Sequence, residues 1–174
     1  MRALWQAIRQ DYAAHGYDGF RAGFRVLLVY RFGQWRMAIK SRLLRAPLSV
    51  IYRLCERHVR FKYGIELPYT VQLGQKVVFE HQHGIVIHGA AQIGDDCIIR
   101  QGVTIGNKTL LQPHQAPQLG KRVNIGAGAK ILGKIVIGDD VTIGANAVVI
   151  ADVPAGAIVV GIPASIVEQS NHGS

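Results

Sequence analysis

Apolar residues recur at every sixth position over much of this chain. Leu67, Leu73 and Phe79 are six apart, as are Ile87, Ile93, Ile99 and Ile105, and then Leu119, Ile125, Ile131, Ile137, Ile143 and Val149. Two slips join these groups, eight residues from Phe79 to Ile87 and fourteen from Ile105 to Leu119. Glycine often follows the apolar residue, as at Gly74, Gly94, Gly106, Gly120, Gly126, Gly138 and Gly144. Four places after the apolar residue stands a small or β-branched one: Val71, Val77, Ala91, Cys97, Val103, Val123, Ala129, Val141 or Ala147. A short fixed period implies a solenoid, and a six-residue period a parallel β-helix. Each hexapeptide is expected to form a short strand and a turn. Its apolar residue points into a prism, and its glycine supplies backbone angles that a Cβ would penalise. Three hexapeptides make a triangular coil of about eighteen residues, joined to its neighbours by parallel ladders. An ordinary β-sandwich would have to reach the same register by chance.

The pattern ahead of the repeats is helical. Residues 3–13 read as a short helix, and Gly16 to Gly19 as a turn. Residues 20–43 carry Phe24, Leu27, Leu28, Phe32, Trp35 and Ile39 at close to helical spacing. Pro47 suits the first turn of a third helix running to about Phe61. The apolar faces of these helices are expected to pack on one another and on the first coil, covering the open end of the β-helix. The division is therefore a basic amphipathic α-helical segment at 1–63, a β-helix at 64–153 and a C-terminal tail at 154–174. The fourteen-residue slip inserts a polar, Pro-containing loop at 107–118, and solenoid insertions often sit on the functional face. Asn171 to Ser174 are expected to be disordered.

Charge divides the chain in the same place. Residues 1–63 hold 13 Lys and Arg against 3 acids, whereas residues 64–174 hold 7 against 8. An acidic partner for the first part follows, and arginines interleaved with Leu, Val, Tyr, Phe and Trp favour peripheral contact with an anionic membrane. Solvated helix faces and intersubunit ion pairs are the plain alternative. No nucleic-acid motif is present and no nucleic acid is expected as a partner. No signal peptide is visible, and no stretch approaches the roughly 20 apolar residues of a spanning helix. Cys55 and Cys97 show no metal-ligand spacing, and Cys97 holds an inward repeat position, so a reduced core thiol is expected. A cytoplasmic protein, lying at most against the inner face of the membrane, fits these features.

The candidate chemistry lies in FEHQHGIVIHG, which holds His81, His83 and His88. His81 falls just before the first slip, so it belongs to a corner. Glu80 is adjacent, and Glu66 lies fifteen residues earlier, nearly one coil back. An imidazole oriented by a carboxylate takes a proton from an alcohol near neutral pH. Three histidines solvated on a loop remain the plain alternative.

The stretches FEHQHGIVI, IGDDCIIRQGVTIGN, VNIGAGAKILGKIVIGDDVTIGANAVVIADVP and VGIPASIV make residues 65–167 resemble the hexapeptide-repeat acyltransferases of the serine O-acetyltransferase type. The resemblance implies a left-handed parallel β-helix, against the usual right-handed crossover. It implies a homotrimer with active sites between subunits and acetyl-CoA, the acyl donor, in the groove between prisms; no metal is expected. It places the catalytic His on His81, the acid before it on Glu80 and the paired carboxylate on Glu66, the last two being Asp in most of that family. It also implies that Ala127 and Ala145 line the coenzyme groove. Backbone N–H groups near Gly106 and Ala127 are candidates for the thioester oxygen or the pantetheine amides. Lys130 and Lys134 are candidate phosphate contacts, with exposed solubilising lysines as the alternative. His83, His88, Arg100 and His114 are candidates for contacting the acceptor.

Departures from that family shape the expected acceptor. Serine acetyltransferases carry an Arg-His pair before the Pro that precedes the next coil, and here Gln115 and Ala116 precede Pro117. The acid of their turn after the catalytic segment is replaced by Gly89. Loss of a cation that should meet a carboxylate argues against free serine. A short basic N-terminus with YRFGQWR and APLSVIYR, and IRQGVTIGN before the loop, resembles instead the colanic acid and related exopolysaccharide acetyltransferases. The acceptor this implies is a sugar hydroxyl on a lipid-linked glycan. The expected function is therefore acetyl-CoA-dependent O-acetylation of an exopolysaccharide precursor, with His81 as general base. Serine O-acetylation is the alternative. A γ-type carbonic anhydrase, suggested by the His83–His88 spacing, lacks a third zinc ligand. A purely structural β-helix would leave His81 and both glutamates without a role.

Overall fold

The computed structural model describes residues 2–109, 111 and 114–167. Three helices come first: α1 (Arg2–Ala14), α2 (Ala22–Met37) and α3 (Arg42–Tyr63). α2 is shorter than its apolar spacing suggests and stops at Met37, where the Ala38 N–H turns to Trp35 O at 3.0 Å. α3 starts at Arg42, ahead of the expected Pro47, because Ser41 caps it: Ser41 Oγ accepts the Leu44 N–H at 3.5 Å. Pro47 sits in the second turn and forfeits only a bond to the Leu43 carbonyl, on an exposed stretch. Gly64 ends the helix at a φ of 61° and donates its N–H to Arg60 O at 2.8 Å. No helix among the described residues is long and apolar enough to cross a membrane.

Beyond Gly64 the chain winds a three-sided prism. The first sheet holds β1 (Ile65–Glu66), β4 (Ile85–Ile87), β7 (Thr104–Gly106), β10 (Lys130–Leu132) and β13 (Val148–Val149). The second holds β2 (Gln72–Leu73), β5 (Gln92–Ile93), β8 (Gln118–Leu119) and β11 (Val136–Ile137). The third holds β3 (Val78–Phe79), β6 (Ile98–Ile99), β9 (Asn124–Ile125), β12 (Thr142–Ile143), β14 (Ile158–Gly161) and β15 (Ala164–Val167). Register measures each coil. Ile87 lies beside Ile105 and Ile131 beside Val149, eighteen residues on in both cases. The first coil is longer, with Ile65 beside Ile85 and Phe79 beside Ile99, twenty residues on. Its two extra residues fall in the corner at 80–84, between β3 and β4. The loop at 107–118 adds eight residues to a later coil, so that Ile105 lies beside Ile131. Residues 110, 112 and 113 of that loop lie outside the described residues.

The interior is the expected one. The apolar repeat residues from Ile85 to Ile143 and the small residues between them are buried, Cys97 completely. Burial pushes the Cys97 thiol up to about 11. The glycines after the apolar position do a different job from the expected one, for none of Gly74, Gly94, Gly106, Gly120, Gly126, Gly138 and Gly144 has a left-handed φ. At Gly126 the next coil passes so close that an added Cβ would stand 2.5 Å from Ala145 N. Left-handed backbone comes two residues later, and mostly without glycine: Lys76, Asp96, Arg122 and Asp140 stack up one corner with φ of 55–59°. Their signs alternate from coil to coil, with Lys76–Asp96 at 3.9 Å and Arg122–Asp140 at 2.6 Å.

The helices cover the open end, as expected, with Val26, Leu27 and Val59 in the same core as the first coil and with polar groups besides. Tyr30 in α2 donates its hydroxyl to Val71 O at 2.7 Å and accepts the Leu73 N–H at 3.3 Å. Arg31 donates to Gly74 O at 2.9 Å and is ion-paired with Asp11 of α1 at 2.9 Å, with both side chains almost fully buried. Gly23 touches Phe79, leaving no room for a Cβ. The far end differs from expectation, because the β-helix does not give way to a tail at Val153. β14 adds a further parallel strand beside β12, and β15 folds back on it antiparallel, so the third sheet continues to Val167. The physical reason is the turn at Gly161 to Pro163, which sends the chain back along β14, where β15 pairs with it while staying largely exposed. Residues 168–174, including the end expected to be disordered, lie outside the described residues.

Two outcomes follow. Asp11→Ala strips a buried guanidinium of its anion and is expected to cost about 3–5 kcal/mol, read as a lower midpoint in denaturant. Alkylation of the native protein at pH 8, read by mass spectrometry, is expected to label Cys55 and spare Cys97, whose thiol stays protonated until pH approaches about 11.

Candidate active site

The site is built on an irregular corner of the prism, the lengthened one at 80–84. Other corners on this edge place three residues between inward positions, as at Arg100–Gln101–Gly102, whereas five separate Phe79 from Ile85. His83 (φ 75°) and Gly84 (φ 73°) absorb the longer path with two left-handed residues in a row. The His83 N–H donates to Tyr63 O at 2.8 Å, and His83 O accepts the Gly102 N–H at 3.0 Å. The corner is thus pinned between the end of α3 and the next coil. It displays His81 to solvent, on the wall of a cavity of about 520 Å³ shared with Arg21, Ala22, Gly23, Phe79, Glu80 and Gln82.

The two carboxylates stand differently around His81. Glu80 is ion-paired with Arg100 at 2.6 Å, and Arg100 in turn donates to Asn124 Oδ1 at 2.6 Å. Arg100 therefore braces Glu80. Glu66 lies in β1 beside Val86, five residues past His81. The sequence interval of fifteen looks like nearly one coil, but this coil is twenty residues long, so Glu66 stacks on the strand after the corner. Among the described residues no hydrogen bond joins Glu66 to His81 within one chain.

The remaining candidates divide between two edges of the first sheet. Ala127 and Ala145 lie on the His81 edge, directly stacked, with the Asn146 N–H donating to Ala127 O at 2.8 Å. Lys130 is beside them and donates its Nζ to Gly102 O. Gly106 and the exposed Lys134 belong to the opposite edge. His88 lies there too, and its Nδ1 accepts the Ala90 N–H at 3.2 Å. His114 is exposed in the loop. His83 and His88 thus stand at opposite ends of β4, and no group of three His, Cys, Asp or Glu suited to a metal occurs among the described residues.

One residue of the cavity was not anticipated. Arg21 precedes α2 and reaches the site because α2 crosses the base of the prism at Phe79. No ion pair among the described residues engages it. α2 also begins without a side-chain cap, and Ala22 and Gly23 of its first turn line the same cavity. Nothing in the hexapeptide pattern points to Arg21, which lies outside the repeats.

Comparison with known proteins bears on these residues. Residues 116–151 match the family described as bacterial transferase hexapeptide (six repeats). The serine acetyltransferase of Synechococcus elongatus is 40% identical over 148 residues, which are 85% of this chain and 58% of that protein. That of Mycobacterium tuberculosis is 38% identical, over 85% of this chain and 62% of its own length. That of Helicobacter pylori strain J99 is 39% identical over 84% of this chain and 82% of its own length. Among solved structures, soybean serine acetyltransferase apoenzyme superposes with a TM-score of 0.81 at 27% identity, over 96% of this chain and 70% of that one. The chain spans about three fifths of the length of the first two relatives. As in the solved structures, the fold is a left-handed parallel β-helix preceded by helices. These relatives correct the expected exopolysaccharide kinship and the sugar acceptor that rested on it. That expectation leaned on a missing cation before Pro117, and the His81 cavity holds a different one. With 39% identity over most of the length of a curated relative, the chain belongs to the serine acetyltransferase family of hexapeptide-repeat transferases.

Proposed function

We propose that this protein is an acetyl-CoA-dependent serine O-acetyltransferase. The observation that carries the reading is the cavity at the irregular corner, where a cation, an anion and an imidazole share one wall in a chain of this family. Free L-serine presents a carboxylate, an ammonium and a hydroxyl. Arg21 and the uncapped start of α2 suit the carboxylate, Glu80 the ammonium and His81 the hydroxyl. His81 removes the hydroxyl proton as the serine oxygen attacks the thioester carbon. The C–S bond breaks, and the imidazolium returns the proton to the leaving thiolate. No covalent enzyme intermediate is required, and the buried Cys97 does not supply one.

Acetyl-CoA is assigned to the edge that carries His81, Ala127 and Ala145, with Lys130 toward its phosphates. Gly106 and Lys134 stand on the other edge of the same sheet, so one chain cannot bring all the cofactor candidates together. A homotrimer meets that need, each groove having one wall from each of two copies. Glu66, which stacks beside Val86 and makes no bond to His81 within one chain, has no step in this reading, and acetyl-CoA as donor puts the reaction in the cytoplasm. Peripheral membrane contact concerns a different surface and is independent of the acceptor.

The test is free-thiol release from acetyl-CoA with L-serine and with ethanolamine, which lacks the carboxylate. His81→Ala is expected to lower kcat by about 10²–10⁴ with either acceptor. Arg21→Ala is expected to raise KM for L-serine about tenfold or more and to leave ethanolamine nearly unchanged. Absence of L-serine turnover by the wild-type protein would sink the reading.

A further inference from the structure

Helix α3 has two apolar faces, and the fold uses one. Tyr52, Val59 and Tyr63 are buried against α2 and the first coil. On the other side Leu43, Pro47, Val50, Leu54 and Phe61 follow at intervals of four, three, four and seven, which is the spacing of a single stripe. They are open to solvent, Leu43 at 88%, Leu54 at 62% and Phe61 at 76%, and Leu44 and Ile51 widen the stripe on one side. The stripe runs into an apolar groove of about 490 Å³ between α2 and α3, walled by Leu28, Val29, Leu54 and Val59. Phe20 stands near the groove, 82% exposed, with the Arg25 guanidinium 5.0 Å from its ring.

Charge selects what covers this face. α3 carries six basic residues, Arg42, Arg45, Arg53, Arg57, Arg60 and Lys62, against one acid, Glu56. Glu56 is already within 3.7 Å of Arg60. By helical spacing Arg42, Arg53, Arg57 and Arg60 line one flank of the stripe and Lys62 the other. A second copy of α3 laid on the stripe would set these flanks against like charges at short range. An anionic bilayer accepts both features, since Leu and Phe enter the acyl boundary while the arginines extend to the headgroups.

We infer that α3 is a peripheral membrane-binding helix, docking its Leu43–Phe61 stripe on a surface rich in anionic lipid. The helix lies in the interface and does not span it. This surface is distinct from the His81 cavity, so the inference stands whichever acceptor the enzyme uses.

Co-sedimentation of the full-length protein with vesicles tests it. Vesicles of phosphatidylcholine alone are compared with vesicles containing about 30% phosphatidylglycerol, at low and high salt. The expected result is binding to the anionic vesicles only, weakened at high salt. Arg53→Gln/Arg57→Gln is expected to weaken binding about 25-fold, about fivefold for each charge removed near the surface. Leu54→Ser/Phe61→Ser is expected to abolish binding with its melting temperature and its mass by light scattering unchanged. Equal binding to both vesicle types, or none, overturns the inference. So does a fall in particle mass in the Leu54→Ser/Phe61→Ser variant, which would mean that a second copy covers the stripe.

Discussion

The stacking distance between coils is the constraint on which everything else depends. Each coil rises by one strand spacing, about 4.8 Å, and its backbone must pass within contact of the coil below at every corner. That is why Gly126 has no room for a Cβ under Ala145 although its φ is ordinary. It is also why the left-handed turn residues align into columns and why the charges of Lys76, Asp96, Arg122 and Asp140 alternate along one of them. A column of like charges at that spacing would repel at every step, while an alternating one is self-compensating. The prism tolerates little irregularity, so the five-residue corner at 80–84 is a deliberate departure.

That departure and the helical cap form one construction. The long corner is anchored on one side by Tyr63, at the end of α3, and on the other by Gly102 in the next coil. α2 crosses the first coil with Tyr30 and Arg31 bonded to the backbone of Val71, Leu73 and Gly74, and Gly23 lets it approach Phe79. This close approach brings Arg21 to the His81 cavity. Packing that seals the apolar prism therefore also sets at the cavity the cation that the proposed serine acceptor would use for its carboxylate. The Asp11–Arg31 pair is part of the same chain of contacts, so damage to the cap reaches the site.

Much of this was legible in the chain itself. The six-residue period gives the three sheets and their inward residues, and the eight-residue slip gives the corner that holds His81. What could not be read has specific physical causes. The interval from Glu66 to His81 suggests adjacency only if the coil has eighteen residues, and the slip itself lengthens that coil to twenty. The glycines suggest special φ, but at all of them except Gly106 the missing Cβ serves contact between coils, which a one-dimensional pattern does not display. The run after Val153 loses the hexapeptide period, yet β14 still finds β12, because a strand needs a ladder and not a repeat. Arg21 had no sequence signal, since its place comes from how α2 crosses the prism. Without it, the loss of a basic pair before Pro117 pointed away from serine.

The basic N-terminal part then separates into charges that the fold uses and charges that it does not. Arg31 is buried on Asp11, and Arg36 lies between the rings of Tyr52 and Tyr69 at 4.3 and 4.6 Å while donating to Ser49 Oγ at 2.7 Å. Arg25 bonds Gly19 O at 3.1 Å. These are structural cations, and each would be missed by its neighbours. The bases of α3 are different, because Arg42, Arg53 and Arg57 have no acidic partner among the described residues and stand beside exposed leucines. Clustered like charges on one helix oppose its formation, and exposed leucines add nothing to a fold that does not cover them. Both features fit the partner inferred for α3, a surface with negative charge outside and hydrocarbon beneath.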